Sequence, residues 1–239
     1  MCKILIIGGG AMGSAFSIPC LENNNLVTIT EPYNKIFIKN LNSKKRFHPS
    51  LKINLSKKLK FMNYSKEIFK KRFDLIVIAL SLAGIDFIGK ELKDLNIKTP
   101  LLVLTKGLKF DKKKKRILTI SDLLKNNYRA ANVSVLKGPC LAKELARKNK
   151  TSVVVANKNI KVAKWIGKQI STKYYLTEFS KDVIGVGANV SETPKAEKQS
   201  REAISGVPAT DGQAAQVWMN EHEDFWNKIE GIRFSISNK

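Results

Sequence analysis

The chain is short of the residues that build metal centres. Its three cysteines, Cys2, Cys20 and Cys140, lie far apart with no C-x-x-C pair, and its two histidines are His48 and His222. A zinc site needs ligands at close, recurring spacings, so none of usual form is supported, and a reducing compartment fits the cysteine usage. Long apolar runs are missing too, none reaching the roughly 18 residues that a membrane helix needs. Lys3 followed by Ile4, Leu5, Ile6 and Ile7 hints at a secretion signal, but glycines interrupt the run before it is long enough. The expectation is a soluble cytoplasmic protein.

Acidic residues are scarce, 20 against 43 Lys plus Arg in 239 residues, for a net charge of +23. With 43% hydrophobic and 26% charged residues the chain can bury a core, which argues against global disorder and a fibrous fold. The charge is uneven. Residues 190–239 hold six basic and eight acidic residues, so the +23 rests on a +25 in residues 1–189. Two of the three tryptophans, Trp218 and Trp226, also fall in the last segment. Composition changes near Asn189, which divides the chain into an expected domain over 1–189 and an atypical tail over 190–239, helical in part or poorly ordered.

Residues 1–180 alternate short apolar runs with helical patterns, as repeated βαβ units do. Strands are expected at Lys3–Ile7, Leu26–Thr30, Leu59–Met62, Asp74–Leu80, Leu101–Thr105, Asn132–Leu136, Ser152–Ala156 and Lys173–Thr177. Their Ile, Leu and Val content suits strands buried on both faces. Helices are expected near Ala11–Glu22, Lys66–Lys71, Ile85–Leu95, Ile117–Lys125, Cys140–Arg147 and Lys161–Ile170, with Pro19 kinking or shortening the first. Lys112–Arg116 reads as a solvated turn. In the tail, Gln213–Ile229 reads as one amphipathic helix whose aromatic side is a packing face. The fold class is α/β, a Rossmann-like, doubly wound and mainly parallel sheet, followed by the short atypical tail.

The sharpest local pattern is Gly8-Gly9-Gly10-Ala11-Met12-Gly13, a G-x-G-x-x-G that follows an apolar strand and opens a helix. Gly8 permits the tight turn, Gly10 lets the backbone approach a pyrophosphate, and Gly13 allows close helix–strand packing. The helix N-terminus then offers free N–H groups to phosphate. A plain glycine-rich turn has the same letters; position and context favour dinucleotide binding. Glu31, 18 residues after Gly13, stands where a carboxylate accepts from the ribose 2′-hydroxyl of NAD, while the nearby Lys35 and Lys39 would suit the 2′-phosphate of NADP. Both cofactors stay open. Two further segments end expected strands, where open α/β sheets bind ligands: Leu104-Thr105-Lys106-Gly107-Leu108 and Lys137-Gly138-Pro139-Cys140-Leu141-Ala142.

Together KILIIGGGAMGSAFS, the KRFHPSL loop around His48, DLIVIALS, LLVLTKGLK, LKGPCLAKELA and TSVVVA resemble the NAD(P)-dependent glycerol-3-phosphate dehydrogenase family over roughly residues 1–186. Ketopantoate reductases share the opening glycines, but the T-K-G and G-P-x-x-A-x-E segments favour the former. The resemblance implies that Gly8, Gly10, Ala11, Met12, Gly13, Ser81 and Ala142 meet the dinucleotide. It places Lys106 against both cofactor and substrate, and Gly138 and Cys140 beside the substrate. Cys140 replaces the family's usual hydroxyl residue, and a thiol is the weaker hydrogen-bond partner.

The family's general-base lysine lies in a Gly-Ala-Leu-Lys-Asn segment, whereas this chain reads Val186-Gly187-Ala188-Asn189-Val190, so no catalytic residue is identified. The helical domain that normally follows is not recognisable in residues 190–239; a truncated or frame-disrupted chain of low turnover is the simplest expectation, and a lineage-specific replacement tail is the other. The implied reaction is hydride transfer between NAD(P)H and dihydroxyacetone phosphate, with a small phosphorylated substrate as partner and a homodimer left open. A non-catalytic dinucleotide-binding protein or partner subunit is the alternative. A nucleic-acid role, prompted by the positive charge, finds neither aromatic interleaving nor a reader motif.

Overall fold

In a computed structural model, residues 1–43, 45–111, 116–130 and 132–188 are described. The elements begin β1 (Lys3–Ile7), α1 (Ala11–Glu22), β2 (Leu26–Glu31), α2 (Lys35–Leu41), β3 (Phe47–His48), β4 (Ile53–Asn54) and β5 (Lys60–Asn63). There follow β6 (Leu75–Ile78), α3 (Ile85–Asp94), β7 (Leu101–Val103), β8 (Leu108–Asp111), β9 (Arg116–Thr119) and α4 (Ile120–Tyr128). The last are β10 (Val133–Lys137), α5 (Ala142–Ala146), β11 (Thr151–Ala156), α6 (Ile160–Ile170), β12 (Tyr175–Ser180) and α7 (Val183–Ala188). The tail expected over 190–239, its helix, and most of the basic run at 112–116 lie outside the described residues.

Eight strands form one sheet in the order β12-β11-β10-β7-β6-β1-β2-β5. Strands β1, β2 and β5 step one way and β6, β7 and β10 the other, so the order reverses between β1 and β6. Outside the carboxyl ends of those two strands lies the crevice that open α/β sheets use for ligands. All pairings in this sheet are parallel except β10 with β11, where Leu136 faces Val155 and Lys137 faces Val154 in antiparallel register. The connection there holds only the short α5, not a full crossover helix, and antiparallel neighbours need no more.

Alternation along the strands divides the apolar residues between two faces. Ile4, Ile6, Val27, Ile29, Leu75 and Val77 pack with Phe16, Leu145 and Ile166 on the side of α1, α5 and α6. Leu5, Ile7, Ile76, Ile78, Val133 and Val135 pack with Ile85, Ile88, Leu123 and Leu124 on the side of α3 and α4. Fully covered strands explain the near-continuous apolar runs.

Three expectations are corrected. Pro19 neither stops nor visibly shortens α1, which runs three residues beyond it to Glu22. Its missing N–H affects only the last turn, and the Asn23 side chain caps that turn by donating to the Pro19 and Ser171 carbonyls at 2.9 Å each. The stretch read as a helix from Ile117 begins as β9, paired with β8, and the helix starts only at Ile120. Thr119 is the N-cap, its hydroxyl accepting from the Asp122 N–H at 3.2 Å, which stops the helix from extending backwards. The last strand begins two residues later than Lys173, at Tyr175, and runs to Ser180.

Phe16 is fully buried and meets Tyr175 edge to face at 6.3 Å between ring centroids, tying α1 to the far edge of the sheet. Replacing Phe16 with Ala is expected to cost about 3–5 kcal/mol. Urea unfolding checks this as a lowered midpoint at unchanged slope.

Candidate functional site

The glycine turn leaves β1 with Gly8 at φ +115°, and a Cβ there would stand 2.5 Å from the Ala79 carbonyl oxygen. A Cβ at Gly13 would fall inside the Gly8 carbonyl, so these two glycines let α1 sit directly on the strand end. Gly10 differs: it is exposed, and a Cβ would meet nothing within 4 Å. Its open side faces away from the fold, where a ligand's phosphates would come. Gly10 is also the N-cap of α1, without a side-chain cap and with no acidic residue in the first turn. The first N–H groups of the helix therefore remain unsatisfied and carry its positive end.

Gly9, between Gly8 and Gly10, is held at both polar atoms. Its N–H donates to Glu31 Oε2 at 2.9 Å, and its carbonyl accepts from Ser14 Oγ at 2.8 Å and from His48 Nε2 at 3.2 Å. The His48 tautomer follows from its other nitrogen: Nδ1 accepts the Leu51 N–H at 3.2 Å, so Nε2 carries the proton. The ring is fully buried, edge-on to Phe37 at 5.3 Å, and burial holds its pKa below the ordinary histidine value. His48 was visible in the sequence only as part of a loop; its contact with the turn comes from the β3–β4 hairpin packing against α2. Glu31 also accepts the Tyr33 N–H at 3.0 Å. Two of the roughly four acceptor positions of a carboxylate remain for a ligand.

Across the switch point, Ser81 is exposed just after β6, at the N-terminus of a single 3-10 turn over Leu82–Gly84 that leads into α3. Half-buried Lys106 follows β7, and Thr105 beside it donates its hydroxyl to the Leu80 carbonyl at 2.8 Å, which locks the β6 and β7 ends together. Since β1 pairs β6 and β6 pairs β7, the glycine turn and Lys106 lie two strand spacings apart, about 10 Å. Gly138 follows on β10 at φ +153°, packed so closely that a Cβ would lie 2.8 Å from the Ser152 carbonyl oxygen. Ala142 opens α5 and packs with Ala11 and Met12 against the same core cluster.

Cys140 stands apart from the others. Its N–H closes onto the Gly138 carbonyl at 2.8 Å, and its thiol is buried beside Tyr175, where burial pushes the pKa up to about 11. What it presents to the crevice is backbone shape, not a hydrogen-bonding side chain. Among the described residues no group of three or more His, Cys, Asp or Glu is placed to hold a metal.

Sequence reading passed over two aromatic residues. Tyr33, beyond β2, is 59% exposed, and Phe87, in the first turn of α3, is 36% exposed, with their rings 5.8 Å apart. The rings are tilted 55° to one another, and the Tyr33 N–H donates to Glu31 at the end of β2. Lone aromatics 54 positions apart carry no sequence signal; only the sheet order joins them.

The buried neutral His48 makes stability depend on pH. Its pKa is lowered in the folded state, so the contribution is complete above the unfolded value of 6.5 and is lost as pH falls through the folded one. The denaturation midpoint should fall between about pH 7 and about pH 5, and fall less in His48→Gln. Equal slopes in the two proteins would contradict this.

The sequence pattern of the family described as NAD-dependent glycerol-3-phosphate dehydrogenase N-terminus matches residues 3–163. An NADP(+)-dependent glycerol-3-phosphate dehydrogenase of Archaeoglobus fulgidus is 28% identical over 188 residues, 76% of this chain and 54% of that protein. A glycerol-3-phosphate dehydrogenase [NAD(P)+] of Clostridium botulinum is 28% identical over 189 residues, 78% of this chain and 55% of the relative. The crystal structure of glycerol-3-phosphate dehydrogenase from Coxiella burnetii superposes with a TM-score of 0.67 at 21% identity, over 78% of this chain and 56% of that one. The chain spans about half the length of these curated relatives. With the glycine turn, the T-K-G strand end and the G-P turn in the family's order on the family's sheet, this chain belongs to the glycerol-3-phosphate dehydrogenase family, matching its N-terminal domain.

Proposed function

We propose that the described residues form the dinucleotide half of an NAD(P)-dependent glycerol-3-phosphate dehydrogenase, with residues 1–189 as the binding domain and 190–239 as a separate segment. The observation that carries this is the open Gly10 at the uncapped N-terminus of α1, at the point where strand order reverses. Gly8, Gly10, Ala11, Met12 and Gly13 receive the pyrophosphate, and the free N–H groups of the first turn hold it. Glu31 takes the adenosine ribose beside Tyr33, and Ser81, Lys106 and Ala142 line the nicotinamide side. NAD and NADP are both open to it: Glu31 favours the free hydroxyl, and exposed Lys35 and Lys39 favour the phosphate.

When bound, the reduced cofactor supplies the hydride. The residues present orient the acceptor carbonyl of dihydroxyacetone phosphate: Lys106 polarises it from the end of β7, and the Gly138–Cys140 turn shapes the adjacent wall. The segment Val186–Val190 contains no lysine to exchange the carbinol proton, so low turnover by this chain is part of the proposal. That same feature supports a second reading, a dinucleotide-binding protein without catalysis. A cytoplasmic location is supported by three free, buried cysteines. Among the described residues no helix is long and apolar enough to cross a membrane. A homodimer is compatible with both readings.

Fluorescence titration with NADH tests the dinucleotide site. Gly10 has φ −62° and ψ −176°, which alanine adopts freely, so Gly10→Ala should keep the unfolding midpoint and weaken NADH binding by about tenfold or more. Gly13→Ala should instead lower stability by about 1–3 kcal/mol, because its methyl group has no room. Unchanged NADH affinity in Gly10→Ala overturns the site. NADH oxidation on adding dihydroxyacetone phosphate separates enzyme from binder.

A further inference from the structure

Between Glu31 and Glu67 the chain has no acidic residue: the stretch from Pro32 to Lys66 holds nine lysines and Arg46, ten cations in 35 residues. The fold gathers this stretch at one edge of the sheet. β5 is the edge strand, and α2 packs on β2, β3 and β5. Arg46 ties the β3–β4 hairpin to the start of β5. Its carbonyl accepts the Leu55 N–H at 3.0 Å, and its guanidinium donates to the Leu59 carbonyl and lies 4.9 Å from the centre of the Phe61 ring. Lys45, Lys52, Lys57, Lys58 and Lys60 are exposed, and none of them enters an ion pair among the described residues. Two apolar side chains lie in the same stretch. Ile36 in α2 is 73% exposed, and Phe47 in β3 is 48% exposed while His48 next to it is buried.

Lysines on an edge strand discourage pairing with other sheets, and single exposed apolar residues are ordinary. Neither accounts for the combination, an aromatic and a branched aliphatic side chain left in water among cations that no carboxylate neutralises. A nucleic acid would match the charge, but its bases need flat side chains to stack on, which Ile36 does not offer. An anionic bilayer matches both features: lysines meet the headgroups, and the apolar side chains enter the acyl boundary. We infer that α2, the β3–β4 hairpin and the start of β5 form a docking surface for anionic membranes, with the lysines as its electrostatic contact and Phe47 and Ile36 as its anchors. The contact is peripheral and reversible, and it does not rest on the dehydrogenase reading.

Flotation of the full chain with vesicles tests this. Phosphatidylcholine vesicles with about one-third phosphatidylglycerol should carry the chain, and pure phosphatidylcholine should not. Binding should fall steeply as salt rises and screens the surface charge. Replacing Lys57, Lys58 and Lys60 with Gln should weaken partitioning by about a hundredfold, about fivefold for each lysine. The same change at exposed Lys161, Lys164 and Lys168 of α6, which packs on β11 and β12 at the opposite edge of the sheet, removes equal charge and should cost less than about threefold. Phe47→Ser should weaken partitioning by about tenfold. Phe47→Trp should retain it, with added emission that moves to the blue on anionic vesicles. These side chains are exposed, so the unfolding midpoints should hold. No binding to anionic vesicles, or equal losses from the β5 and α6 variants, overturns the proposal, as does a Phe47→Trp emission that vesicles leave unchanged. Tighter binding to a single-stranded oligonucleotide at the same salt, lost in the same β5 variant, would assign the surface to nucleic acid and overturns it too.

Discussion

The Gly9 peptide is the point on which the crevice depends. Its N–H is held by Glu31 from β2, and its carbonyl by Ser14 from α1 and His48 from the β3–β4 hairpin. Three elements, two of them far from the turn in sequence, thus meet at one peptide and leave the next residue, Gly10, facing open space. A phosphate-binding turn has to keep its N–H groups pointing outward without help from the ligand, because ordering it on binding would cost about 1–2 kcal/mol per residue. Pinning Gly9 meets that cost during folding. Glu31 thereby serves the turn before it serves any ribose, and a histidine of unremarkable sequence context becomes part of the site.

The other side of the crevice is built on charge. Lys137 ends β10 and Lys106 lies three residues beyond β7, and Thr105 stands between them, bonding back to Leu80 through its hydroxyl and accepting from Lys137 through its carbonyl. Here the chain's excess of basic residues has a local consequence, unlike the lysines spread over helix surfaces. An exposed ammonium is well solvated whatever its neighbours; that of Lys137 is almost wholly covered, and burial pushes its pKa down to about 8.

Much of this was legible in the residues. The Ile, Leu and Val runs at Lys3–Ile7, Leu26–Thr30 and Leu101–Thr105 located central strands, because a strand covered on both faces leaves no room for polar alternation. The glycines located the turn, since no other residue could take the places of Gly8 and Gly13. The hairpin of β8 and β9 was hidden because Ile117 and Leu118 suit a helix face as well as a strand, and only pairing with Lys109 and Phe110 decides between them. Pro19 misled for a related reason: it falls near the end of α1, where the Asn23 side chain donates to the Pro19 carbonyl and closes the last turn. Cys140 sat in a motif at the end of β10, yet after the tight Gly138 turn its thiol is buried in the core beside Tyr175.

The linear sequence settled the α/β class, the glycine turn after β1 and the family, because each is written in local patterns: runs of buried strand residues, glycines at positions that exclude a Cβ, and short motifs in fixed order. Tertiary structure alone decided the partners. The bracing of Gly9 by His48, the pairing of Tyr33 with Phe87 and the bond of Lys137 to the Thr105 carbonyl are all tertiary contacts. Side chains dozens of residues apart meet only once β1, β2, β6, β7 and β10 lie side by side, and no local preference encodes that adjacency.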